Sequence, residues 1–177
     1  LGNVLPDTYT AATPLGVLSG GGHVTTTIHD MIVGLIPGSV GETSVIAIGI
    51  GAVILLWTRV ASWKTMLSVF VGGAVTAAVF HAAGMTSITW YEHIFLGGFC
   101  FGAVFMATDP VTGARTETGK YFYGLGIGIL AVLIRVLNPG FPEGMMLSIL
   151  FMNIFGTLID YIVVDRNISS RAKRALI

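Results

Sequence analysis

The residues best suited to carry a covalently bound group lie near the start of the chain, in the polar stretch DTYTAAT at positions 7–13. A threonine hydroxyl is a weak nucleophile by itself, but it can accept a phosphoester when another enzyme supplies the chemistry. Such an acceptor needs an accessible loop, small neighbours and a nearby acid, and Asp7, Ala11, Ala12 and Thr13 meet these needs. The same composition fits a solvated loop that leads into a helix, so the residues alone leave both interpretations open.

Two acidic residues lie within or beside apolar segments, where a charged side chain is costly and needs a stabilising partner. Asp109 ends one such segment in FMATDPVTG, and Pro110 after it favours a terminated backbone. Asp160 lies inside another, in GTLIDYIVV. Asp109 can serve as a helix-end cap or as a cation ligand. Asp160 can pair with a donor on a neighbouring helix or belong to a cation or proton pathway.

Other chemistries find little support in the sequence. Of the four histidines, only His23 and His29 approach a ligand spacing, which is weak evidence for a metal site. Cys100 is the only cysteine, so the chain cannot form an internal disulfide or hold an iron–sulfur cluster by itself. The sequence GLGIG at 124–128 lies in an apolar run with no preceding strand, so it predicts helix packing and not dinucleotide binding.

The composition indicates a helical integral membrane protein. Of 177 residues, 54% are hydrophobic and only 10% are charged, with a mean hydropathy of +0.84. Soluble domains carry about 25% charged residues. The net charge of zero gives no concentrated basic surface for nucleic acid. Because the sequence begins with Leu1 and not with Met, we expect it to be the C-terminal part of a longer protein.

The apolar residues fall into five segments: Ser44–Trp57, Met66–Ala83, Ile94–Ala107, Tyr121–Leu137 and Met145–Val164. A straight membrane span needs about 20 apolar residues, and the first and third segments are shorter than that. Short segments bounded by Gly or Pro are typical of broken helices, which membrane proteins use to build central binding sites. Alternatively, both are full spans completed by the uncharged residues beside them.

Basic residues are distributed asymmetrically among the loops. If all five segments cross the membrane, the loops on one side and the tail contain Arg59, Lys64, Arg115, Lys120, Arg166, Arg171, Lys173 and Arg174. Loops 84–93 and 138–144 on the other side contain no Lys or Arg. Basic loops stay in the cytoplasm, so we predict a cytoplasmic C-terminus and an external N-terminal segment. Arg135 is the exception, as a snorkelling residue or a buried functional charge.

This pattern predicts three parts. Residues 1–43 form an extracytoplasmic loop with a re-entrant lead-in, residues 44–164 form a membrane helical bundle, and residues 165–177 form a cytoplasmic basic tail. The predicted fold is therefore an all-α integral membrane bundle of about five transmembrane helices, some of them short or broken.

Residues 7–13 resemble the flavinylation motif Asp-x-x-(Ser/Thr)-(Gly/Ala)-Ala-Thr. The phrases IPGSVGETS, GGFCFGAVFMATDPVTG and RVLNPGFPEGMMLSILFMNIFGTLIDYIVV are similar to the same family in the same order. That family contains the NqrB subunit of the sodium-translocating NADH:quinone oxidoreductase and its relative, the RnfD subunit of the Rnf complex. The phrase RVLNPGFPEGMML looks more like the quinone reductase subunit.

The resemblance implies that Thr13 carries FMN through a phosphoester made by an FMN transferase. Asp7 would support the transferase reaction, and Thr10 and Ala12 would shape the loop. The family also binds riboflavin noncovalently, with contacts that the resemblance does not place in this sequence. It implies a channel-like fold with two similar halves, of which this chain would be one.

The function implied by the resemblance is that of a multi-pass subunit in the bacterial inner membrane. With other subunits of the complex, it would relay electrons from NADH toward quinone and couple this to the movement of Na⁺. Asp109 and Asp160 are our candidates for the sodium-coupling acids because of their location. The alternatives are an Rnf subunit, or a channel or transporter without redox chemistry.

Overall fold

The protein is described by a computed structural model that covers residues 13–19, 27–39, 41–86, 88–138, 140 and 142–175. The candidate residues Asp7, Thr10 and Ala12 lie outside these ranges. The described residues form helices and no strands: α1 (Pro14–Ser19), α2 (Ile28–Val33), α3 (Val45–Trp57), α4 (Trp63–Ala82), α5 (Trp90–Phe95), α6 (Phe99–Phe101) with a π-helical continuation (Gly102–Met106), α7 (Glu117–Leu137) and α8 (Met145–Ala175). The predicted all-helical fold is confirmed.

Three of these helices, α4, α7 and α8, are long and apolar enough to cross a membrane. Helix α3 is uninterrupted but has only 13 residues, so it is about 20 Å long, which is shorter than the hydrocarbon core. The helix bounds agree with the predicted apolar segments to within a few residues, except that α8 continues without a break to Ala175.

The third apolar segment is a broken helix. Helix α5 ends at Leu96, which has an extended backbone (φ −87°, ψ 137°). Gly97 then adopts a left-handed conformation with φ +67°, which favours glycine over residues with a Cβ. The helix resumes at Phe99. Of the two interpretations left open for this segment, the broken helix is correct. We refer to Leu96–Gly98 as the break.

Helices α4 and α7 pack closely because glycines remove side chains from their interface. A Cβ at Gly124 would lie 2.6 Å from the carbonyl oxygen of Thr65, and a Cβ at Gly72 would lie 2.7 Å from that of Leu125. A Cβ at Gly128 would clash with the carbonyl oxygen of Val69. The packing role predicted for GLGIG is confirmed. Small residues four apart let the two backbones approach each other.

The loops between helices gather at two opposite ends of the bundle. Residues 59–65 and 107–115 line one cavity, which we call the basic-end cavity. Thr13, Glu42, Gly97 and Glu143 line a small cavity at the other end. The predicted flavin-bearing residue and the Lys/Arg-rich loops therefore lie at opposite ends, as the alternation of loops requires.

Candidate functional site

Thr13 begins helix α1. Its Oγ1 accepts a hydrogen bond from the Gly16 N–H at 3.2 Å, and its carbonyl oxygen accepts one from the Val17 N–H at 3.0 Å. Pro14 follows at the first helical position, where its fixed φ suits a helix and its missing N–H costs nothing. Thr13 is partly exposed, so its hydroxyl oxygen is both held in place and accessible.

Helix α1 is fixed against the break by one apolar side chain. Leu15 is 2% exposed and packs in a small core with Met31, Ile36 and Leu96. The ideal Cβ position at Gly97 lies 2.5 Å from a methyl group of Leu15, so α1 packs tightly on the break. The position of Thr13 thus depends on the conformation of the third segment.

Two carboxylates line the small cavity beside Thr13. Glu143 Oε2 accepts a hydrogen bond from the Gly98 N–H at 2.9 Å, and Glu42 Oε1 accepts one from the Ser39 N–H at 3.0 Å. The cavity leaves about 10 Å³ of free space, which is room for about one water molecule.

These contacts bear on whether Thr13 suits an esterified flavin. An esterified Oγ loses its proton but keeps lone pairs, so it can still accept the Gly16 N–H bond. The small cavity cannot hold an isoalloxazine ring, and its carboxylates repel a phosphate. Thr13 therefore fits as an attachment point for a group that extends away from this cavity.

Arg135, the exception to the charge pattern, is buried at the break. It is 8% exposed and donates hydrogen bonds to four backbone carbonyl oxygens. The acceptors are His93 at 2.6 Å, Pro142 at 2.9 Å, Glu143 at 3.3 Å and Leu96 at 3.4 Å. It does not snorkel to the surface. Its guanidinium fastens the end of α5 to the start of α8.

Asp160 closes the start of α7. Its Oδ2 accepts the Arg115 N–H at 2.7 Å, and its Oδ1 accepts the Thr116 N–H at 3.0 Å and the Thr116 hydroxyl at 2.6 Å. Thr116 is in turn the N-cap of α7 and accepts the Gly119 N–H at 3.1 Å. Of the partners considered from the sequence, a backbone donor is the one the structure shows.

Asp109 closes the beginning of the same loop. It accepts hydrogen bonds from the Thr112 hydroxyl at 2.7 Å, the Val111 N–H at 3.2 Å and the Thr112 N–H at 3.3 Å. The bond from the Thr112 hydroxyl, helped by the backbone bonds, lowers the pKa of this carboxyl below its ordinary value. Asp109 and Asp160 hold the two ends of one loop. Within the described ranges, no three His, Cys, Asp or Glu side chains are grouped as a metal site.

Comparison with known proteins places this architecture. Residues 2–169 match the family model described as the NQR2, RnfD, RnfE family. The chain belongs to that family. It is 52% identical to the NqrB subunit of the Na(+)-translocating NADH-quinone reductase of Chromohalobacter salexigens, over 97% of this chain and 44% of that protein. The same subunits of Klebsiella pneumoniae and Haemophilus influenzae are 48% and 46% identical, each over 95% of this chain and 44% of the relative. The chain thus spans less than half the length of these relatives.

In this member of the NQR2, RnfD, RnfE family, sequence reasoning missed the arrangement around the break. Glu42 and Glu143 look like ordinary residues before a helix, yet both reach the cavity beside Thr13. One signal was available: each follows a Pro-Gly pair, in PGSVGE and PGFPE. The carbonyl partners of Arg135 left no such signal, because backbone acceptors are the same at every residue.

Proposed function

We propose that the chain is part of the membrane subunit of a sodium-translocating NADH:quinone reductase and carries FMN on Thr13. The observation that carries this proposal is Thr13 itself. Its hydroxyl oxygen is partly exposed and held by the Gly16 N–H at the start of a docked helix, and it ends a flavinylation motif. Relatives that are 46–52% identical are named as a subunit of that reductase, which favours this function over the Rnf alternative.

Bound FMN supplies one-electron transfer between partners, while the protein sets its position and surroundings. In this proposal Asp7 supports the FMN transferase, and Thr10 and Ala12 shape the loop that the transferase recognises. NADH oxidation belongs to other subunits, quinone accepts the electrons, and riboflavin is a second flavin of the whole subunit. The protein lies in the bacterial inner membrane with its N-terminal segment outside and its C-terminus in the cytoplasm, as the basic loops indicate.

Three substitutions at Thr13 separate flavin attachment from helix capping. Thr13→Ser keeps both an esterifiable hydroxyl and a capping oxygen. Thr13→Asn keeps a good capping oxygen but has no hydroxyl. Thr13→Ala has neither. With the FMN transferase co-expressed, the peptide containing position 13 is expected to carry the FMN mass in the wild type and to lose it completely in the Asn and Ala variants.

The Ser variant and the folding of the Asn variant are the controls. Thr13→Asn is expected to melt within about 0.5 kcal/mol of the wild type, because the cap is kept. A peptide without flavin in the wild type contradicts the proposal and favours a transporter without redox chemistry. A flavin that persists in Thr13→Asn places the attachment elsewhere.

We further propose Asp109 and Asp160 as the acids that couple electron transfer to sodium. They lie at the same end of the bundle and bracket residues 109–116, so a cation bound to either would act on one loop. Asp160→Asn is expected to raise the sodium concentration needed for half-maximal quinone reduction about tenfold, since losing one charged ligand costs roughly 1.4 kcal/mol.

Thr116→Val is the matched control for Asp160→Asn. It removes one hydrogen bond to the carboxylate, from the Thr116 hydroxyl, and leaves the charge unchanged. Its sodium dependence is expected to stay at the wild-type value. If Asp109→Asn and Asp160→Asn both keep the wild-type sodium dependence, these residues are not the coupling acids.

A further inference from the structure

The basic-end cavity lies between the end of α3, the start of α4 and the loop before α7. It has a volume of about 400 Å³. Four basic side chains line it, Arg59, Lys64, Arg115 and Lys120, together with the acids Asp109 and Glu117. The cavity is independent of the Thr13 site, which lies at the opposite end of the bundle.

The acids do not neutralise the arginines. Glu117 forms salt bridges with both Lys64 and Lys120, and Asp109 is engaged by its own loop. Within the part of the chain that the structure describes, Arg59 and Arg115 form no salt bridge. The cavity therefore keeps two uncompensated positive charges, one on each side of its mouth.

Hydrogen-bond donors are also available in the wall. The N-cap of α4, Ser62, makes no side-chain cap bond. The N–H groups of Trp63, Lys64 and Thr65 have no acceptor among the described residues, as is usual in a first helical turn. Thr65 is only 4% exposed and lines the cavity, and its hydroxyl has no hydrogen-bond partner in the described ranges. Free backbone donors at a helix start beside cations form an anion site.

The level of the cavity indicates a lipid. The spanning helices α4 and α7 both begin here, at Trp63 and Glu117. Trp63 is 53% exposed and Tyr121 is 40% exposed, and the Lys64 ammonium lies 5.9 Å and 5.8 Å from their ring centroids. Aromatic and basic side chains of this kind collect at the headgroup layer, where basic pockets between helices bind anionic headgroups.

We propose that the basic-end cavity binds the phosphate of an anionic phospholipid headgroup. Arg59 and Arg115 supply the charge, and the first turn of α4 with the Thr65 hydroxyl supplies the hydrogen bonds. The bound lipid joins the end of α3 to the loop that precedes α7. The proposal is independent of the flavin and sodium proposals.

Lipid retention by the full-length protein in its complex tests this proposal. The complex is stripped in detergent, exposed to phosphatidylglycerol or phosphatidylcholine, and analysed by native mass spectrometry. Wild type is expected to retain phosphatidylglycerol preferentially. The double variant Arg59→Gln/Arg115→Gln is expected to lose about 30-fold in retention, since each basic residue contributes roughly fivefold. Arg171→Gln/Arg174→Gln, with the same charge change in the exposed end of α8, is expected to retain it as the wild type does.

Two further variants guard against misfolding. Arg59 has φ +57°, a conformation that favours glycine. Arg59→Gly is therefore expected to lower retention while the melting temperature stays equal or rises. Thr65→Val keeps the shape of the side chain and removes the hydroxyl, and it is expected to weaken retention less than the arginine variants do.

Several outcomes overturn the proposal. Equal retention of the two lipids removes the charge selectivity, and unchanged retention in the double arginine variant removes the site. Displacement of the lipid by excess inorganic phosphate shows a site for a free anion. A photoreactive residue at Val60, which lines the cavity, is expected to crosslink to lipid in the assembled complex. Crosslinking to another subunit shows an acidic protein partner instead.

Discussion

Replacing Arg135 with leucine is expected to open the break and to destabilise the fold by about 3–5 kcal/mol. The guanidinium bonds four carbonyl oxygens, and leucine leaves them buried without a donor. Each unsatisfied buried acceptor costs about 1–3 kcal/mol. Lysine keeps the charge but is a point donor without a planar fork, so Arg135→Lys is expected to fall between leucine and the wild type.

Cys100 reports on this opening directly. It is 4% exposed, follows the break by two residues and donates to the Ile94 carbonyl oxygen at 3.2 Å. A thiol reagent reaches it only when the segment opens. In Arg135→Leu the labelling rate of the Cys100 peptide, measured by mass spectrometry, is expected to rise about 100-fold or more. Arg166→Leu, at an exposed position on α8, is the control and is expected to leave the rate unchanged. A wild-type labelling rate in Arg135→Leu would show that the carbonyl contacts do not hold the break.

The second large effect is expected from Gly124→Val at the α4–α7 interface. A Cβ there would meet the Thr65 carbonyl oxygen at 2.6 Å, the Ser68 Cβ at 2.8 Å and the Val69 nitrogen at 3.3 Å. Backbone atoms of a packed helix cannot move aside as a flexible side chain can. The helices must separate, and we expect a loss of about 3 kcal/mol, at the upper end of overpacking costs.

Gly49→Val is the matched control, because the same change is made in a helix where a Cβ has nothing within 4 Å. We expect its melting temperature in detergent to stay close to that of the wild type, and that of Gly124→Val to fall by several degrees. Equal melting temperatures for the two variants would mean that the close approach of α4 and α7 contributes little to stability.

Properties that depend on local composition could be predicted from the sequence. The apolar runs gave the bounds of α3, α4 and α7 to within a few residues, because burial in lipid requires continuous apolar length. The glycines at 124 and 128 predicted close helix packing. The alternation of basic and non-basic loops separated Thr13 from Arg59 and Arg115, which the structure places at opposite ends.

Interactions between distant backbone groups could not be predicted in this way. Asp160 lies in an apolar helix, yet its partners are N–H groups 44 and 45 residues earlier. Arg135 pairs with the carbonyl oxygens of His93 and Leu96, 42 and 39 residues earlier. Backbone donors and acceptors are common to nearly all residues, so no residue type marks them. Only the turn at Gly97 brings these particular carbonyls to the guanidinium.

The guanidinium at the break bears on any ion route through this half of the bundle. Interrupted helices in transporters expose carbonyl oxygens that replace the water around a passing cation. Here the carbonyl oxygens of His93 and Leu96 already face a cation that is covalently part of the chain. A sodium ion that followed the third segment would have to compete with this tethered charge and would be repelled by it. The interruption in this segment therefore works as an electrostatic plug, and a conducting path has to bypass it.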